Sequence, residues 1–213
     1  MNDQLKTRKI ARHKGGFYVG LWMCFTAAIV VQPRASDAGV PTDQVRATVD
    51  RVLAILQDPK FKSADKFRDR RELRSKVISA RFDFAEMARR SLGAEWRRLS
   101  AVQQQQFVEL FTDLLRDAYV DDIESYKSEK VIYKRETQEE QFAVVQTTLR
   151  SPEGSEYSIE YRLRQVEKEW KVYDVVIENV SIVNNYRSQF ARVISRSSFE
   201  GLMRAMREKT HQK

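Results

Sequence analysis

The spacing of apolar residues changes near Lys130, and this change constrains the fold more than any other feature of the sequence. Before it, apolar side chains recur every three or four residues, as on amphipathic helices. Between Val131 and Ile177 apolar and polar residues alternate, as on strands with one buried face, and from Ile182 the helical spacing returns. Because helices and strands are segregated along the chain, the pattern predicts an α+β fold with N-terminal helices, a sheet and C-terminal helices.

The strand region divides into four predicted strands: Val131–Arg135, Phe142–Arg150, Tyr157–Arg164 and Trp170–Ile177. Short polar segments join them, such as Pro152–Gly154. A parallel pair needs a crossover connection of about a dozen residues or more, and these connections are shorter. We therefore expect a four-stranded antiparallel meander.

The longest predicted helix begins at Ser100 and continues to about Tyr126. Ser100 and Gln103 have the spacing of a capping box, and the apolar residues that follow form one wide face. Gly93 is a typical residue for ending the helix before it. The other predicted helices are a segment from Pro41 to Asp58, Ala64–Arg81, Phe84–Leu92, Ile182–Ser195 and about Phe199–Lys209.

The first 38 residues have the composition of an export signal. Five basic residues precede the uncharged run Phe17–Val31, and Ser36 and Ala38 stand at the −3 and −1 positions of a plausible cleavage site. The alternative is a membrane anchor, but 15 residues span about 22 Å as a helix, against about 30 Å of bilayer hydrocarbon. We expect a signal peptide at 1–38 and a single domain at 39–213.

Composition then excludes several classes of function for the predicted domain. Without residues 1–38 the formal net charge falls from +8 to +4, because that segment holds six basic and two acidic residues, and this weakens the case for nucleic-acid binding. The single cysteine, Cys24, and one of the two histidines, His13, lie in the predicted signal. The other histidine, His211, is almost at the C-terminus. Disulfides, Ser-His or Cys-His catalysis and the usual zinc sites are thus excluded, and we expect no enzyme, no metal and no cofactor. Asp174 and Glu178, four residues apart, could pair as in a glycosidase, but solvated carboxylates are the more common explanation.

Several motifs in a fixed order resemble one known family. They are the strand Trp170–Val175, the turn Asn179–Ser181 and the helix segment Asn185–Phe190, preceded upstream by Gln105–Tyr119 and by Phe82–Trp96. In order and spacing they resemble the MlaC or toluene-tolerance family, the soluble periplasmic phospholipid carriers of Gram-negative bacteria. The resemblance covers about residues 42–209. Asn179 stands where glycine is frequent in the family, and asparagine also tolerates a left-handed backbone.

The resemblance implies that acyl chains lie in an apolar cavity between the sheet and the helices. Phospholipid would then be the cargo, and the partners would be an inner-membrane ABC transporter complex and an outer-membrane lipoprotein complex, with the carrier a monomer. For Asp174 and Arg187 we expect structural contacts in a turn or a helix cap rather than headgroup binding. The candidate lining residues are Phe107, Phe111, Leu115, Tyr119, Tyr161, Val175, Ile177, Val180, Tyr186 and Phe190.

Three other interpretations stay open at this stage. One is a carrier for hopanoid-type lipids, which would share the fold. Another is a small envelope enzyme on a cone-shaped α+β fold, which would need an acid or base inside the cavity. The third is an adaptor that works through its surface and has a fully packed core.

Overall fold

In the computed structural model, which describes residues 40–61, 63–124 and 129–211, helices and strands follow one another in the predicted order. The predicted signal segment lies outside the described residues. The helices are α1 (Pro41–Gln57), α2 (Phe67–Arg81), α3 (Phe84–Leu92), α4 (Ala101–Glu124), α5 (Ile182–Arg196) and α6 (Phe199–His211). The strands are β1 (Lys130–Glu139), β2 (Phe142–Arg150), β3 (Glu156–Val166), β4 (Glu169–Ile177) and β5 (Val180–Ser181). The α+β class is confirmed.

The strands form one antiparallel sheet in the order β1-β2-β3-β4-β5, so the predicted meander is confirmed. The short fifth strand was not predicted. It forms because Glu178 and Asn179 both have positive φ, 48° and 65°, which makes a tight two-residue turn after β4. The turn brings Val180 opposite Ile177. Asn179 thus adopts the left-handed backbone that its side chain tolerates.

One face of the sheet, called the inner face here, carries Val145, Tyr161 and Val175 side by side on β2, β3 and β4. Helix α1 lies over this face at β1. The N–H of Thr42 donates to the Glu136 carboxylate at 2.8 Å, and Arg46 stacks on the ring of Tyr133 at 4.3 Å. Because successive strand residues point to opposite faces, their sequence neighbours lie on the other side, called the outer face.

Helix α4 contributes the aromatic centre of the helical layer and packs beside α3 and α6. Phe107 and Phe111 are fully buried. Phe190 of α5 meets both rings edge-on, at 5.6 and 5.8 Å between centroids. Edge-to-face contacts at this distance add to the free energy of burial, so α4 and α5 are held together firmly at this level.

The ends of the helices agree with the capping signals in the sequence. The Ser100 N–H donates to Gln103 Oε1 at 2.9 Å, and the Gln103 N–H donates to Ser100 Oγ at 3.3 Å, which confirms the capping box. Gly93 ends α3 with φ +59°. The predicted end of α4 near Tyr126 lies outside the described residues. Within the described ranges, no helix has the length and apolar composition needed to cross a bilayer.

Candidate functional site

The inner face of the sheet is closed at one end by a row of residues that solvent does not reach. Leu163 lies opposite Ala143 on β2 and Val172 on β4, and all three are 0–3% exposed. The segment between α2 and α3 closes the edge of β4 there, because Phe82 pairs with Val172 and the Asp83 N–H donates to the Val172 carbonyl at 2.8 Å. This row is ordinary protein core.

Four residues earlier on β3, the same face is only half-buried. Ile159 lies between Thr147 and Ile177, and Tyr133 lies on the far side of Thr147. Thr147 is buried, and its hydroxyl donates to the Ile159 carbonyl at 3.0 Å, so it presents no free polar group to the face. Ile159, Ile177, Tyr133 and Tyr161 pack against the core with one side still accessible. These four residues are called the half-buried layer.

Two tyrosines contribute hydroxyl groups to the half-buried layer. Burial raises the pKa of Tyr161 to about 12, although its ring keeps some accessible surface. The hydroxyl is therefore desolvated, while part of the side chain remains accessible. Burial also raises the pKa of Tyr133, with further contributions from nearby Tyr161 and from Asp50. Both hydroxyls therefore stay protonated at physiological pH and can donate hydrogen bonds.

The Tyr133 hydroxyl is buried and has no hydrogen-bond partner among the residues that the structure describes. Leaving a buried hydroxyl unpaired costs about 1–3 kcal/mol. A ligand oxygen that entered the half-buried layer would remove this cost. The layer therefore combines apolar surface with one buried donor that lacks a partner among the described residues.

On the helical side, the predicted residues form a graded face along α4. Phe107, Phe111 and Leu115 are buried, whereas Tyr119, one turn further on, is half-buried. Tyr186 of α5 meets the Phe111 ring edge-on at 5.4 Å. Burial, together with the nearby Tyr119, raises the pKa of Tyr186 to about 12. Along this face of α4, exposure thus increases from Leu115 to Tyr119.

The structure brings nine of the ten predicted lining residues into the core or its half-buried margin. Val180 differs, because it is 57% exposed on the short edge strand, although it shares the inner face with Ile177. Two members of the half-buried layer were not predicted, Tyr133 and Ile159. Strand alternation would have found both, since Tyr133 is two residues after Val131 and Ile159 two residues before Tyr161.

The buried carboxylates have structural partners. Asp174 accepts from the Ser181 hydroxyl at 2.7 Å and from the Val183 N–H at 3.1 Å, which anchors the start of α5 and confirms its predicted cap role. Glu86 accepts from Arg89 and Arg90. Within the described part of the chain, no group of three or more histidine, cysteine, aspartate or glutamate residues is placed to hold a metal ion.

Comparisons with known proteins agree with this architecture. The family model described as MlaC protein matches residues 46–208. A solved structure of the phospholipid-binding protein from Ralstonia solanacearum, in complex with a phospholipid, has 29% sequence identity and a TM-score of 0.73, and the match covers 82% of this chain and 98% of that one. No match was found among the curated proteins. Because the family match spans most of the sequence, the chain belongs to the MlaC family.

Proposed function

We propose that this protein is a periplasmic carrier that holds the acyl chains of a phospholipid against the half-buried layer. Membership of the MlaC family and the phospholipid bound to the Ralstonia solanacearum protein support this proposal. The observation that carries it is the inner face itself, which is fully closed at Leu163 and only half-buried at Ile159. The carrier would load and unload at an inner-membrane ABC transporter complex and an outer-membrane lipoprotein complex, as a monomer.

The free energy of such binding comes from the acyl chains. Each methylene group that leaves water contributes about 0.8 kcal/mol. A modest apolar surface is therefore enough to bind acyl chains, and no catalytic group is needed. Ile159 and Ile177 supply branched aliphatic surface, and the rings of Tyr133 and Tyr161 extend it. Each of the four keeps accessible surface that a chain could cover.

The tyrosine hydroxyls would contact the oxygen atoms of the ester groups. Tyr133 has the clearest role, because its buried hydroxyl lacks a partner among the described residues. A carbonyl oxygen of a lipid ester is an acceptor without a donor of its own, so it fits this hydroxyl. Tyr133→Phe should therefore stabilise the lipid-free protein slightly while weakening phospholipid retention.

Native mass spectrometry of the protein purified from a bacterial periplasm tests the binding proposal. We expect a stoichiometric phospholipid that organic solvent extracts. Ile177→Glu places a carboxylate in the half-buried layer and should abolish retention, because burying an unpaired charge is costly. Val102→Glu makes the same change at a position that is 66% exposed and should keep the lipid. If Ile177→Glu does not fold, the milder double variant Ile159→Ala/Ile177→Ala replaces it in the retention measurement.

The result of this experiment also separates the alternatives. Absence of stoichiometric lipid in the wild-type protein, together with no uptake from added vesicles, would overturn the proposal and favour an adaptor. A hopanoid-type lipid in place of phospholipid would overturn the choice of cargo. Equal retention by Ile177→Glu and Val102→Glu would show that the lipid lies elsewhere.

The proposed location has its own test. Expression of the full chain in a Gram-negative host should yield a periplasmic protein whose mass corresponds to a start near Gly39. An uncleaved chain in the membrane fraction would show instead that the N-terminal segment is kept as an anchor. Transfer of fluorescent phospholipid between inner- and outer-membrane vesicles, with and without the protein, then tests the carrier role.

A further inference from the structure

The outer face of the sheet borders a cleft of about 590 Å³ that is rich in arginine. The cleft lies between β3 and β4 on one side and the ends of α3 and α5 on the other. Trp96 and Tyr173 form aromatic parts of its wall. Its arginine residues are Arg89, Arg90, Arg97, Arg162 and Arg187. Nothing in the proposed lipid carriage uses this cleft.

The cleft is separate from the half-buried layer because the two lie on opposite faces of the same strands. Tyr161 pairs with Val175 on the inner face, and the next pair along the strands is Arg162 with Asp174. Successive residues of a strand point to opposite faces, so Arg162 and Asp174 belong to the outer face. Acyl chains against Tyr161 and a ligand against Arg162 would therefore occupy different sites.

Three of the arginines are neutralised by carboxylates. Arg89 and Arg90 share Glu86, at 2.6 and 2.7 Å. Arg162 contacts Glu160 at 2.9 Å and Asp174 at 3.4 Å. The contacts hold the guanidinium groups in place along the wall. Taken together, the three arginines and the three carboxylates carry no net charge.

The excess charge comes from Arg97 and Arg187. Both are exposed, and neither forms an ion pair or a hydrogen bond with any described residue. Arg187 lies against the backbone of Gly93, where an added Cβ would stand 3.0 Å from its Nε. Because Gly93 also has φ +59°, glycine both ends α3 and leaves room for this guanidinium. The cleft thus holds two free guanidinium groups beside a wall of fixed ones.

We propose that this cleft is a second binding site, for a phosphate group. The planar guanidinium donates two parallel hydrogen bonds that match phosphate oxygens, which explains why arginine predominates at phosphate sites. The volume is within the range of small-ligand sites, and Trp96 and Tyr173 offer surface to the organic part of a phosphate ester. The phosphate belongs either to a small soluble ester or to a lipid headgroup at a membrane surface.

Calorimetric titration of the mature wild-type protein with glycerol 3-phosphate, and co-sedimentation with vesicles of phosphatidic acid in phosphatidylcholine, test the two sources. We expect binding to at least one probe, weakened by salt because the attraction is electrostatic. Arg97→Gln/Arg187→Gln should weaken it about tenfold, as expected for the loss of charge-assisted hydrogen bonds. Arg204→Gln/Arg207→Gln removes the same charge from exposed positions of α6 and should bind like wild type.

Binding of glycerol 3-phosphate identifies a soluble source, and binding of the vesicles alone identifies a headgroup. The proposal is overturned if wild type binds neither probe, or if the two double variants bind equally. Arg97→Gln alone, at an exposed position away from Gly93, replaces the double variant if that one unfolds. Phospholipid retention, measured in the same variants, should be unchanged, so this proposal and the lipid-carrier proposal can fail independently.

Discussion

Leu163 and Ile159 lie on the same strand and point to the same face, yet one is closed to solvent and the other is half-buried. Each has an apolar neighbour on β4, Val172 beside Leu163 and Ile177 beside Ile159. The two levels also differ at the edge of β4. The α2–α3 connection pairs with Val172, whereas the level of Ile159 lies beside the exposed β4–β5 turn. Core and candidate site are therefore two levels of one continuous face that differ in their exposure to solvent.

Leu163→Ala should produce the largest effect, on stability alone. Removing a fully buried leucine side chain leaves a cavity and costs about 2–5 kcal/mol of unfolding free energy. Phospholipid bound per folded molecule should be unchanged. Urea denaturation and native mass spectrometry measure the two quantities. Loss of lipid from a protein that is still folded would show that the bound chains reach the closed row.

The pH dependence of stability should reveal how deeply Tyr161 lies. Its pKa is raised from 10.0 to about 12 by burial, so the folded state holds its proton where the unfolded state releases it. The resulting stability is complete below pH 10 and is lost as pH rises through 12, with a slope of at most about 1.4 kcal/mol per pH unit.

Tyr161→Phe should flatten this decline, as measured by thermal unfolding between pH 9 and 12, roughly the range set by the tyrosine pKa. Some decline will remain, because burial also raises the pKa of Tyr186. Tyr157→Phe, on the same strand but 47% exposed, is the matched control. If both variants show the wild-type slope, Tyr161 is not desolvated and the half-buried layer is open to bulk water.

Ile159→Ala reverses the pattern of Leu163→Ala. Because Ile159 is only half-buried, the cost in stability should be about 1 kcal/mol, below the range for fully buried sites. Phospholipid retention should fall, since the lost methylene groups belong to the surface that we propose contacts the chains. Urea denaturation and native mass spectrometry measure these two effects as well. A stability loss as large as that of Leu163→Ala, with full lipid retention, would make Ile159 a core residue and remove the distinction between the rows.

The period of the pattern predicted which residues share a face, but not how well each face is covered. Strand alternation placed Tyr161 on a half-buried face, and the structure has Val175 and Ile177 on that face with it. Phe107 and Phe111 were identified from helical spacing, but rings from α5 fill the space beside them. Coverage depends on tertiary packing, to which spacing along the chain is insensitive.

The arginine cleft could not be predicted for a related reason. Arg97 and Arg187 are distant in sequence, and each resembles an ordinary solvated side chain in its own segment. The contact between Arg187 and Gly93 exists only in the folded chain. For Arg187 the sequence suggested a turn or cap contact, and the structure places its guanidinium at the end of α3.

Val180→Ser should have the smallest effect and decides whether the half-buried layer extends to the edge of the sheet. Val180 is 57% exposed, so the change in unfolding free energy should stay within about 0.5 kcal/mol. If Val180 lines the lipid site, as the family resemblance implied, phospholipid should dissociate faster because apolar contact at the edge of the sheet is lost. Transfer of fluorescent phospholipid to acceptor vesicles measures this rate. An unchanged rate would place the boundary of the site at Ile177, its partner across the turn.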